Sequence, residues 1–155
     1  VREALERGVL AGYPITDDHM VVGGGASHPV DPAARDFTRA GSQAVQRAIK
    51  NATPALLEPI MKVSVTFPEE YFGAVLNDLH ARRGRLESPE IVGKLRRLGA
   101  TVPLAEMLRY ATYLRSLTSG RGIHTLEFSH YHELPAALQD EIVKMRSTTL
   151  RFKRR

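Results

Sequence analysis

The chain contains no cysteine and no tryptophan, and Phe and Tyr together make up only 6% of its 155 residues. Without cysteine there is no disulfide framework, no thiolate zinc site and no iron–sulfur cluster. With so few rings, little material is available for stacking unpaired bases. No uninterrupted apolar run approaches the roughly 18–20 residues that cross a membrane as a helix, so no membrane partner is expected. The first eight residues, Val1 to Gly8, carry Glu3 and Glu6 and no apolar signal core. A phosphate-binding loop is also missing: the one Gly-Lys pair, Gly93-Lys94, is followed by Leu95 and lacks the upstream glycine that such a loop needs.

Charge is the first positive clue. The net charge is +5, with 22 basic and 17 acidic side chains. A modest excess of this kind favours an anionic partner, but its placement matters more than its size. Residues 1–54 balance six basic against six acidic side chains, and residues 55–134 balance ten against nine. Residues 135–155 hold six basic side chains, among them Lys144, Arg146 and Arg151, against Asp140 and Glu141. The basicity is thus mostly a property of the C-terminal tail, and the body must be read for local clusters.

Periodicity divides the chain into successive elements. Val1, Ala4 and Leu5 mark a short amphipathic helix stopped by Gly8. Ile15 to Val22 reads as a strand, Gly23-Gly24-Gly25 as an open loop, and Ala33 to Asn51 as a helix with Phe37, Ala40, Ala44, Val45, Ala48 and Ile49 at three- and four-residue spacing. A second unit follows. Met61, Val63, Val65 and Phe67 alternate with polar residues as a half-buried strand, and Pro68-Glu69-Glu70 opens a helix that ends by Gly84. Two weaker strands, around Leu86 and over Leu98–Val102, are joined by a polar loop. A helix opens at Pro103 and runs to Gly120, and Ile123 to Leu134 forms a last strand with Leu126 and Phe128 inward. The order β-α-β-β-α-β is that of a ferredoxin-like domain. Pro135 starts a final helix ahead of the basic tail.

Three groups of residues invite a chemical reading. His124, His130 and His132 fall on one face of the last strand, but two strand residues are about 7 Å apart and no thiol or obvious carboxylate completes a ligand set, so no metal site is expected. His28 and Asp31 could pair as acid and base, yet an exposed loop after three glycines holds no catalytic geometry and offers no nucleophile. No catalytic residue is therefore assigned, and the chain itself is not expected to be an enzyme. The same loop suits close approach to a phosphate backbone. Basic clusters at Arg82-Arg83-Gly84-Arg85, at Lys94, Arg96 and Arg97 in the polar loop, and at Arg115 and Arg121 together support an RNA-contacting surface.

Ordered motifs narrow the choice. Leu57-Glu58-Pro59-Ile60-Met61-Lys62-Val63, Pro68-Glu69-Glu70-Tyr71, and Asp78-Leu79 with Arg82-Arg83-Gly84 resemble the opening of the last domain of elongation factor G. Val102-Pro103-Leu104-Ala105-Glu106-Met107, Tyr110-Ala111-Thr112, Leu114-Arg115-Ser116, Thr118, Gly120-Arg121-Gly122, and Glu127-Phe128 with His130-Tyr131 and Pro135 continue that resemblance in order. Upstream, Leu10-Ala11-Gly12-Tyr13-Pro14 and Asp17 resemble the preceding domain. The resemblance covers nearly all of residues 1–145.

It implies an α+β chain with a partial ribosomal protein S5 domain 2-like unit over residues 1–54, a ferredoxin-like fifth domain over 55–134, and a C-terminal helix and basic tail over 135–155. It implies the C-terminal part of a longer translational GTPase that acts in tRNA and mRNA translocation. The GTPase domain would lie upstream, with GTP and magnesium bound there and no cofactor or metal on this chain. Partners would be ribosomal RNA, tRNA and mRNA. A loop of Gly24, Gly25, Ser27, His28 and Asp31 would form the tip beside tRNA in the decoding region, with His28 matching the family's tip histidine. Arg82, Arg83, Arg85, Arg115 and Arg121 are the candidate ribosomal RNA contacts. The tip differs from the family's usual pattern in its extra glycine, in Pro29, and in Arg35 where an acid is usual. Translocase, ribosome-recycling factor and a divergent paralogue all fit, in bacterial cytoplasm or, alternatively, in the mitochondrial matrix. A stand-alone RNA-binding module of ferredoxin-like shape is the reading from another class.

Overall fold

A computed structural model describes residues 2–16, 18–25 and 34–152, with backbone alone for Arg7, Ala34 and residues 147–152. Contacts gather the chain into two compact units, residues 1–56 with 134–155, and residues 57–133.

In the first unit, helix α1 (Arg2–Arg7) and helix α2 (Ala34–Asn51) enclose a small core. Ala4, Val45 and Ile49 are buried, and Leu5, Val9, Ile15 and Met20 pack against them. The strand expected over Ile15–Val22 is not formed in the described residues. The Ile15 amide donates to the Leu5 carbonyl at 3.0 Å instead of joining a ladder; β-branched residues at each end cannot by themselves supply a strand with a hydrogen-bonding neighbour. Helix α5 (Ala136–Phe152) belongs to this unit. The Leu134 amide donates to the Leu56 carbonyl at 2.8 Å, and the Gln139 side-chain oxygen accepts from the Leu56 amide at 2.7 Å. Arg146 lies over the Tyr13 ring at 4.7 Å and donates to its hydroxyl at 2.9 Å, so this basic residue has an internal role.

The second unit is an antiparallel sheet backed by two helices. Its strands are β1 (Leu57–Pro68), β2 (Arg85–Leu86), β3 (Glu90–Val92), β4 (Leu95–Pro103) and β5 (Ile123–Glu133), with α3 (Phe72–Ala81) and α4 (Tyr110–Leu117) between them. The order β2-β4-β1-β5 is the ferredoxin-like one, with β3 pairing β4 as an addition. The polar loop expected between two weak strands thus contains a hairpin. Lys94 follows its turn glycine, Gly93 (φ +63°), while Arg96 and Arg97 stand on β4 and not in a loop.

The alternation in β1 works as read: Val63, Val65 and Phe67 are fully buried, facing Val75 and Leu79 of α3 and Leu114 of α4. Gly84 closes the turn after α3, its amide donating to the Leu79 carbonyl at 2.9 Å. A Cβ at position 84 would stand 2.5 Å from that same oxygen. The single helix expected from Pro103 to Gly120 is divided. A 3₁₀ turn covers Leu104–Met107, and Arg109, in the left-handed region at φ +61°, separates it from α4. That break lets both Met107 and Tyr110 turn into the core.

Phe128, expected inward, is 56% exposed. β5 is an edge strand; Tyr110 of α4 packs on His124 near its start, whereas Phe128 meets only the exposed Tyr131 ring, at 5.2 Å between centroids, among the aromatic contacts of the described residues. β5 also bulges. Ile60 pairs with His130 and Met61 with Phe128, so Ser129 is left without a partner. One extra residue shifts the side-chain alternation, so the three histidines do not share a face. His124 is half-buried against Tyr110, at 5.1 Å between ring centroids, and His130 and His132 are exposed.

Candidate nucleic-acid interface

The residues expected at the tip divide by placement. Gly24 and Gly25 are exposed, and a Cβ at either would meet nothing within 4 Å. Ser27, His28 and Asp31 lie outside the described residues.

The five candidate arginines of the second unit do not converge. Arg82 follows α3, and its Nε donates to both carboxylate oxygens of Asp78 at 3.0 Å. Its guanidinium also donates to the Glu106 carbonyl and lies 4.9 Å from the ring centroids of both Tyr110 and Tyr113. Arg83 adopts φ +60° and grips Glu58 with two hydrogen bonds of 2.8 and 2.9 Å, while its Nε reaches Glu106 at 3.2 Å. The Glu58 hydrogen bonds, against a smaller cost of burial, raise the Arg83 guanidinium above its ordinary value. Arg121 pairs with Glu70 and donates to the Tyr71 hydroxyl, its charge 5.0 Å above that ring. Three of the five are therefore engaged within the unit.

Arg85 and Arg115 are exposed, and their side chains have no hydrogen-bond or ion-pair partner among the described residues. They occupy different layers. Arg85 pairs across the sheet with Thr101, which pairs with Lys62, so Arg85 and Lys62 stand on the open sheet face. Arg115 lies on α4, on the helix side, where its charge and the burial of the ring together hold the His124 imidazole below its ordinary value, burial being the larger cause. Of the second cluster, Arg96 is paired with Glu69 and lies 5.5 Å over the Phe72 ring, whereas Arg97 approaches Glu90 only at 3.9 Å.

Two exposed residues of this unit were not singled out from the sequence. Tyr113 is 47% exposed on α4, and the side chain of Arg109, four residues earlier, has no partner among the described residues. With Thr112 and Ser116 they line an open cleft free of carboxylates. Positions 112, 113 and 116 share one face of α4, a spacing readable in the sequence, whereas the left-handed Arg109 that joins them precedes the helix. Among the described residues no three His, Asp or Glu side chains gather as a metal site would require, and no helix is long and apolar enough to cross a membrane.

The described residues thus comprise a small helical unit and a ferredoxin-like sheet unit whose arginines lie over aromatic rings. Residues 55–142 match the family model for the elongation factor G C-terminus, and residues 1–53 match that for elongation factor G, domain IV. The chain belongs to the elongation factor G family and represents its C-terminal part. A crystal structure of a protein from Thermus thermophilus is similar, at a TM-score of 0.81 and 45% sequence identity. That likeness covers 95% of this chain and 22% of the other, so the chain spans under a quarter of that relative's length.

Proposed function

We propose that this chain is the ribosome-contacting arm of an elongation factor G-type translational GTPase, acting in movement of tRNA and mRNA. The observation that carries this reading is the pair of family matches running in order over residues 1–53 and 55–142. GTP hydrolysis would belong to an upstream domain of the same factor, with GTP and magnesium held there, and the arm would pass a conformational change to its tip. The glycine-rich loop at Gly24 and Gly25 leads into that tip, whose working side chain is His28. Bacterial cytoplasm is the expected compartment, with mitochondrial matrix as the alternative.

The test is His28→Ala in the full-length factor. Translocation of tRNA should slow by an order of magnitude or more while ribosome-stimulated GTP hydrolysis stays near its normal rate. Equal loss of both would count against a mechanical tip. A factor that splits ribosomes but does not move tRNA would be the recycling paralogue instead.

A further inference from the structure

The cleft beside α4 has the construction of a base-stacking site. Tyr113 presents a ring that is 47% exposed and has the Arg82 guanidinium 4.9 Å from its centroid. Arg82 is itself held by Asp78, by the Glu106 carbonyl and by the Tyr110 ring. Arg82 thus contacts both rings, of which Tyr110 is buried and Tyr113 is open to solvent. A ring fixed in this way loses little conformational freedom when a second flat group settles on it.

The surroundings select the kind of flat group. Arg109 lines the same cleft and is exposed, and its side chain has no partner among the described residues. It holds a left-handed backbone at φ +61°, which a non-glycine side chain adopts only at some cost, and its side chain does not cap α4. Thr112 and Ser116 add hydroxyls, and no carboxylate lines the cleft. A cation without a counter-ion beside an aromatic face is the pairing that single-stranded nucleic acid uses, phosphate to the charge and base to the ring.

The geometry points to Tyr113 and Arg109 as a site for one unpaired nucleotide of RNA, its base on the Tyr113 ring and its phosphate at Arg109. The site deepens the functional reading above and rests on it, since the RNA would be ribosomal. It also assigns the contact to a cation other than the ion-paired Arg83 and Arg121.

The test uses the full-length factor and purified ribosomes, with affinity measured across a salt series. Tyr113→Ala should weaken binding about tenfold, and Tyr113→Phe, which keeps the ring, should stay within about twofold of the parent. Arg109→Gly should weaken binding and lower the salt slope by about one. An aryl azide amino acid in place of Tyr113 should cross-link to an unpaired ribosomal RNA nucleotide. Parental affinity for Tyr113→Ala, or cross-links confined to ribosomal protein, would overturn this site while leaving the arm reading intact. A parent factor that does not bind ribosomes would overturn both.

Discussion

Arg83 donates two hydrogen bonds to Glu58, at 2.8 and 2.9 Å, joining the turn after α3 to the start of β1. Glu58 is only 9% exposed, so its carboxylate depends on that guanidinium for the hydrogen bonds water would otherwise supply. Removing one member leaves the other charge stranded. Arg83→Ala should cost about 2 kcal/mol, below the range for fully buried pairs because Arg83 retains partial contact with solvent. Arg83→Lys should recover only part of this, since a single ammonium lacks the planar fork. Urea denaturation of each variant gives the comparison.

Arg109 allows binding and stability to be separated. Its positive φ carries a steric cost that glycine does not pay, so Arg109→Gly should stabilise the fold by about 1 kcal/mol. The same change should weaken RNA binding. A variant that is both more stable in urea and poorer in ribosome affinity would fit a residue retained for contact; a loss of stability would show that Arg109 has a structural role.

Thr118 is fully buried at the end of α4, its hydroxyl donating to the Leu114 carbonyl at 2.7 Å and accepting from the Gly122 amide at 2.8 Å. Thr118→Val keeps the volume and loses both bonds, leaving the Gly122 amide unsatisfied. The expected cost is about 2 kcal/mol. Thr118→Ser, which keeps the hydroxyl, should lose less, and thermal denaturation would rank the two.

His124 predicts a pH dependence. Burial, and then the nearby Arg115 charge, hold its imidazole below the ordinary value of 6.5. Its contribution is fully present above that value. As pH falls, the unfolded chain takes up the proton first, so stability declines through the window below 6.5 and levels off below the folded-state value. His124→Gln should flatten this part of the curve, as followed by urea midpoints at about pH 7.5 and 5. Arg115→Ala should bring the imidazole closer to its ordinary value in an NMR titration.

The elements legible from sequence were those whose pattern is local. Val63, Val65 and Phe67 alternate, and all three are fully buried in β1. Val45 and Ile49 recur at helical spacing and pack inside α2's small core. The strand over Ile15–Val22 and the inward Phe128 failed for a common reason. Each depends on a neighbour, a ladder partner in one case and a covering helix in the other, which no local pattern specifies. The arginine clusters were visible as charge, but not their roles. Arg83 finds Glu58 twenty-five residues away, and Arg121 finds Tyr71 fifty residues away.

Motif order and short-range periodicity were enough to establish the family, the ferredoxin-like order of elements and the split of charge between body and tail. Packing then settled which cations are available to a partner. It consumed Arg82, Arg83 and Arg121 in internal pairs, left Arg85, Arg109 and Arg115 unpaired among the described residues, and backed Tyr113 with a fixed charge. Whether a charged side chain is free depends on what the fold brings within about 4 Å of it, and that distance is set by packing between segments far apart in the chain.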